Sequence, residues 1–372
     1  MLTSRSRFAV AFLAAAASLA SAPARASTHV WNAAATTGVW SIAGNWSAGG
    51  VPTSGEMGGT VVQIGGGVTA TDNIAGLVID RFVFTNGGNT VAGSGVTLTI
   101  NTPVFGTNLE NVTGSNTIAS SLPVVFSGGA LCGVIVDAGT LTLASNVSGE
   151  GFILQAPSAP GTLMLTGSNS FGPVTIREGA VLLGSSTANV AMPSNVTIGN
   201  GIGGPSSAVL ASTLAEQIAD GASLTILSDG RLDLSFGETI ASLNMTGGLV
   251  ASVTGMGSLA VGAGGVTATS DSIPLPASIS VNMTLTSIPT PFTVNPGLGG
   301  IQLDVSGALG GPGGLTKSGA GTLQLSGSQS NSHGFGTIVG AGTLLLNKTP
   351  GVNAVGAQFV IGDVSGTGAQ TV

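Results

Sequence analysis

The sequence predicts an all-β chain wound into a right-handed parallel β-helix, a β-solenoid with Gly- and Asn-rich turns. Three observations predict it. Glycine supplies 62 of 372 residues and charged residues only 6%, where an average chain has about 7% Gly and about 25% charged residues. Short stretches that alternate with period two recur between glycines: "DAGTLTL" at 137–143, "GAGTLQL" at 319–325 and "GAGTLLL" at 340–346. The chain also copies itself at longer range. Gly161 aligns with Gly321, Gly179 with Gly342, and Ile198-Gly199-Asn200 with Ile361-Gly362-Asp363, so a long unit begins a second time.

Each element has a physical reason. In "TLQL", Leu323 and Leu325 point to one face and Thr322 and Gln324 to the other. A lone hairpin of such strands is marginal in water. Stacked as coils, the strands bury a continuous apolar stripe, and each backbone donor finds an acceptor in the next coil. Gly supplies positive-φ corners. Asn tolerates the same corners and stacks into ladders. With coils of roughly 20–25 residues the exported chain is expected to make about 14–17 of them, a rod of about 70–80 Å.

The N-terminus reads as an export signal. Arg5 and Arg7 precede the short apolar run "FAVAFLAAAASL", and "APARAS" offers small residues before a cleavage site after Ala26. Residues 1–26 are therefore predicted to be a signal peptide, too short to span a membrane. Their removal takes three of the 8 basic residues and none of the 15 acidic ones, so the net charge becomes 5 − 15 = −10. Such a chain repels nucleic acid, which is not an expected partner. Residues 27–60, with Trp31, Trp40 and Trp46, are predicted to cap the solenoid, and residues 61–372 to form it. Two repeat copies lie within it, a decayed one at about 147–183 and a clear one at 313–347. Val372 falls opposite Val209, inside the repeat unit, so the chain is expected to be cut within a repeat. The single Cys132 cannot close an internal disulfide.

Little in the sequence points to chemistry. "ALGGPGGLTKSGAGTLQLSG" (308–327) is rich in Gly around Lys317, but Thr316 precedes the lysine and a strand follows it. A phosphate loop needs Gly before the lysine and a helix after it. Asp229, Arg231 and Asp233 are the best candidates for a carboxylate site on one strand face; a solvated strand carrying ordinary charges explains them as well. The three Trp residues could stack on sugars or pack as an end cap, and the cap is the expectation. His29 and His333 stand far from other ligand-type residues. No catalytic residue, cofactor site or metal site is predicted.

Residues 313–347 closely resemble the autotransporter-associated β-strand repeat, also called the passenger-associated transport repeat. The matching positions are Gly313, Gly314, Leu315 and Lys317; then Gly319, Gly321, Thr322, Leu323, Leu325 and Gly327; then Ala341, Gly342, Thr343 and Leu344. The family's aromatic-Thr-Gly-Gly-Thr turn is replaced here by "SHGFGT", and the copy at 147–183 lacks the lysine. The resemblance implies a β-helical passenger segment of a secreted or surface-displayed protein of a Gram-negative bacterium. It implies repeats that aid export and folding, and an adhesin-like rod rather than an enzyme. Implied partners are the outer-membrane translocation machinery or a C-terminal barrel, with host or matrix glycans as adhesion targets. The alternative is a polysaccharide-binding or polysaccharide-degrading β-helix.

Overall fold

The computed structural model describes residues 26–32, 34, 38–103, 106–155, 161–271, 275–362 and 370–371. The predicted leader lies outside these residues except for Ala26, as do residues 156–160 of the first repeat copy and, in the second copy of the long unit, Asp363 and Val372.

The described chain is all β, apart from a single 3-10 turn at Ala43–Asn45. Apart from the antiparallel pair Ser27–Trp31 and Trp46–Ala48, its strands stack in parallel, coil upon coil, in three sheets of 18, 14 and 5 strands. The 14-stranded sheet runs from Thr69–Asp72 to Gln370–Thr371 and takes one strand from each coil, which gives about 13 turns. The five-stranded sheet reaches Ser170–Phe171. Its face is continued by a parallel bridge between Met192 and Ile218, then by the first halves of Gly237–Thr246 and Ser258–Thr269. These two long strands turn the corner into the 18-stranded sheet, with a break in register between Ile240 and Ser242.

Thirteen steps of about 4.8 Å give a rod of about 60 Å, shorter than the sequence suggested. The 14-stranded sheet begins only at Thr69, so residues 27–68 add no strand to it; coil length is also uneven. The coil that carries the chain from Arg231 to its partner Leu249 is short, whereas those from Ala180 to Val209 and from Leu249 to Ser278 are half as long again. The excess sits in corner loops, and the strands themselves stay in step.

Alternation along each strand produces the core. In the 14-stranded sheet one inward column reads Leu141, Leu163, Val181, Leu210, Leu232, Val250, Ile279, Val305 and Leu325. All nine are fully buried. Each is an aliphatic side chain removed from water, worth about 1.5–3 kcal/mol, and no single coil could bury its own. Cys132 belongs to a matching column in the 18-stranded sheet, beneath Phe152, Val174 and Val196.

At the corners, side-chain amides replace strand ladders. Asn89 Oδ1 accepts the Gly67 and Val68 N–H groups, Asn89 Nδ2 donates to Asn116 Oδ1 at 2.8 Å, and Asn116 Nδ2 donates to Asn111 Oδ1. The two repeat copies share one such bridge. Asn169 accepts from Val147 N–H and donates to Ala191 O; Asn331 accepts from Leu309 N–H and donates to Ala354 O. The two bridges stand one long repeat apart, in the alignment that the sequence shows.

Candidate functional site

The repeat segment 313–347 contributes Gly314–Ser318 and Gly336–Val339, stacked on each other in the 18-stranded sheet, and Thr322–Gly327, stacked on the strand that begins at Gly342 in the 14-stranded sheet. Leu315, Leu323, Leu325 and Leu344 are buried, and Thr322 and Thr343 are half-buried. The unexpected member is Lys317. It occupies an inward position, stacked between Phe292 and Val339, and is fully buried. Its ammonium donates to Ser318 O at 2.9 Å, Gly319 O at 2.6 Å and Ala341 O at 3.0 Å. One charge thus ties the corner of its own coil to that of the next. Burial lowers its pKa to about 8, so the group is still protonated at pH 7.

The surrounding glycines make room for this. Gly319 and Gly342 hold φ of +75° and +73°. A Cβ on Gly342 would stand 2.4 Å from Gly319 O and 2.8 Å from Lys317 Nζ. The glycine-rich run is a socket for a lysine and not a cradle for phosphate. Counting from the strands Val174–Ile176 and Gly336–Val339, where Leu154 pairs with Ile176 and Lys317 with Val339, the first copy places buried Leu154 where the second has Lys317.

The carboxylate candidates do not form a site. The strand begins at Gly230, so Asp229 lies in the turn before it and not on the face of Arg231 and Asp233. Asp229 is 1% exposed; its carboxylate accepts the Asn200 and Gly201 N–H groups, at 3.0 and 2.8 Å, and the Ser207 hydroxyl. Asp233 pairs with Arg231 at 2.8 Å and accepts the Val253 N–H. Each carboxylate is engaged in holding a turn.

The aromatic and imidazole candidates are also inward. Trp31, Trp40 and Trp46 are at most 6% exposed, and their rings meet edge to face at 5.0 and 5.7 Å. Trp40 stacks on Phe82 of the first coils. No face of these rings is offered to a sugar. His29 sits between Glu56 Oε2, at 3.0 Å, and Gly50 O. His333 Nε2 is 2.8 Å from Thr337 Oγ1, and burial lowers its pKa. Among the described residues no three His, Cys, Asp or Glu side chains gather as metal ligands would.

What sequence reasoning missed is a notch on the corner between the 18- and 14-stranded sheets, a cavity of about 300 Å³. Its floor is the tight pair of corners at Ser228–Gly230 and Gly247–Leu249. One wall is Pro205 and Ser206, from the loop 199–207; the other is Leu275 and Pro276. The walls belong to the two long coils, and the floor to the shorter coils between them. Asp229 pins the first wall through Asn200, Gly201 and Ser207, and the Ser228 hydroxyl donates to Asp271 on the other side at 2.8 Å. The Gly/Pro/Ser run "GNGIGGPSS" was the one available signal.

The described chain is a parallel β-solenoid in which Lys317, Asp229 and Asp233 are engaged with its own turns. Compared with known proteins, the chain is similar to the Adhesin BmaC autotransporter of Brucella suis biovar 1 (strain 1330), with 26% identity over 76% of this chain. It spans about a tenth of the length of that relative. No family model matches the chain, and no solved structure matches it. The fold and the likeness together fit an autotransporter passenger-like, surface adhesin-like β-helix.

Proposed function

We propose that the chain is a non-enzymatic passenger segment of an autotransporter-like protein, exported by a Gram-negative bacterium and displayed at its surface as an adhesin-like rod. The observation that carries this reading is the likeness to an adhesin autotransporter along three-quarters of the chain, on a fold that is one continuous stack of coils. Residues 1–26 route the chain to export, with cleavage after Ala26. The outer-membrane translocation machinery, or a C-terminal barrel, passes it outward. Each coil then buries its stripe on the last, so folding outside opposes return. With only 6% charged residues, the unfolded chain carries few groups whose desolvation resists a narrow pore. Host or matrix molecules, glycans included, are the adhesion targets.

The test is to fuse the chain to an outer-membrane barrel stripped of its own passenger, in a laboratory Gram-negative host. Protease accessibility on intact cells reads display, and attachment to matrix-coated wells reads adhesion. Display and attachment above the barrel alone are expected. Retention in the periplasm would sink the export role, and display without attachment would sink the adhesin role.

A further inference from the structure

We infer that the corner notch is a binding site for an extended, uncharged peptide segment carrying small aliphatic side chains. Pro205 and Leu275 line the notch together with a floor that is nearly free of side chains at Gly230, Gly247 and Gly248. A Cβ on Gly248 would meet Ile226 and Leu227 O at 2.5 Å, which keeps that floor bare.

Size, charge and surface chemistry choose the occupant. The floor is two coils across, about 10 Å, which suits one extended chain lying along the coil direction with side chains toward each wall. The lining carries no charged side chain, and the nearby Asp229 and Asp271 carboxylates already accept hydrogen bonds from the protein. An ionic group would lose its water there without a partner. No aromatic ring lines the notch, so the flat platform on which sugar rings stack is missing. Pro and Leu walls bury aliphatic side chains, and Ser206 and Ser278 add polar groups to the lining. A cavity of about 300 Å³ is at the lower limit for ligand sites and holds two or three such side chains.

The inference rests on the adhesin reading only for the source of the peptide, a protein of the surface to which the cell attaches. The test uses the chain and a fluorescein-labelled capped peptide, Gly-Val-Pro-Leu-Val-Gly, followed by fluorescence polarisation. A copy with both Val replaced by Asp, and a neutral glucose hexasaccharide as competitor, are the controls. Ser278→Trp fills the notch from its outward side. Binding with Kd on the order of 0.1–1 mM is expected, weakened about tenfold or more by Ser278→Trp and by the Asp peptide. Thermal unfolding of the variant should match the parent. Absence of binding at about 1 mM, equal binding by Ser278→Trp, or displacement by the hexasaccharide overturns the inference. If cells displaying Ser278→Trp attach normally while peptide binding is lost, the notch stands and its link to adhesion falls. If neither parent nor variant attaches but the parent binds peptide, the adhesin reading falls alone.

Discussion

Replacing Lys317 with Met keeps a long side chain in the column between Phe292 and Val339 and removes the charge. The two consequences oppose each other. The three bonds to Ser318 O, Gly319 O and Ala341 O are lost; at about 2 kcal/mol each for a charged donor they sum to about 6 kcal/mol. Against this, the substitution removes the penalty of burying an ammonium. The fall in pKa from 10.5 to about 8 sets that penalty at about 3 kcal/mol. The hydrogen bonds win, and Lys317→Met is expected to lose about 3 kcal/mol at pH 7. The loss should be local, because each coil touches only its neighbours. Hydrogen exchange read by mass spectrometry should show faster exchange at 314–346 and none of it at 90–143. The pH dependence supplies a second readout. Between pH 8 and 10.5 the unfolded chain holds a proton that the folded chain has released. Stability of the parent therefore rises with pH across that window, by up to about 3 kcal/mol, and the Met variant lacks the rise. Unchanged protection at 314–346, or the same pH profile in both proteins, would refute the reasoning.

Three further outcomes are expected. Asp229→Ala removes the acceptor for the Asn200 and Gly201 N–H groups and should cost about 2–3 kcal/mol in denaturant unfolding, with no change in any glycan turnover; a selective loss of turnover in a stable variant would revive the hydrolase alternative. Glu238 is buried and its pKa is raised from 4.5 to about 7, against the opposing hydrogen bonds from Gln217 and Ile218 N–H. The folded state thus binds the extra proton between those values, so stability should fall as pH rises from 4.5 to 7, and Glu238→Gln should flatten the curve, as read by urea midpoints at each pH. Gly342→Ala forces a side chain into left-handed backbone 2.4 Å from Gly319 O. It should cost at least about 2 kcal/mol and melt the same coils as Lys317→Met, while Ala341→Gly next to it should cost under about 1 kcal/mol.

The fold was legible because its cause is local. Alternation in "TLTL", "TLML" and "TLQL" fixes which side chains turn inward, and parallel stacking follows from their repetition. The lengths of individual coils were less legible. The register hops that matter, the short one from Arg231 to Leu249 and the long one from Leu249 to Ser278, lie between strands that look alike in sequence. Asp229 was misplaced by a single position. Its spacing from Arg231 puts it on the same face only if the strand already includes it, and the strand starts at Gly230. Lys317 was visible as a motif position, yet its burial was not, because a lone lysine in a polar run looks solvated until the neighbouring coil's Ala341 O is placed beside it. The notch had only the loop-like run "GNGIGGPSS" to mark one of its walls. It exists only as the difference between the lengths of neighbouring coils.

That difference has a consequence for how such a chain changes over time. Successive coils, such as those that begin at Arg231 and at Leu249, differ widely in length while the strands above and below remain paired one to one. Residues added or removed at a corner leave the ladder intact and move only the skyline of the rod's edge. The corner between the two large sheets therefore works like a margin beside fixed ruled lines, where new recognition surfaces can be written without redrafting the core. A short foreign peptide inserted between Gly203 and Pro205 should be carried outward on the finished rod, whereas the same insertion between Leu210 and Ser212 would break the column on both sides.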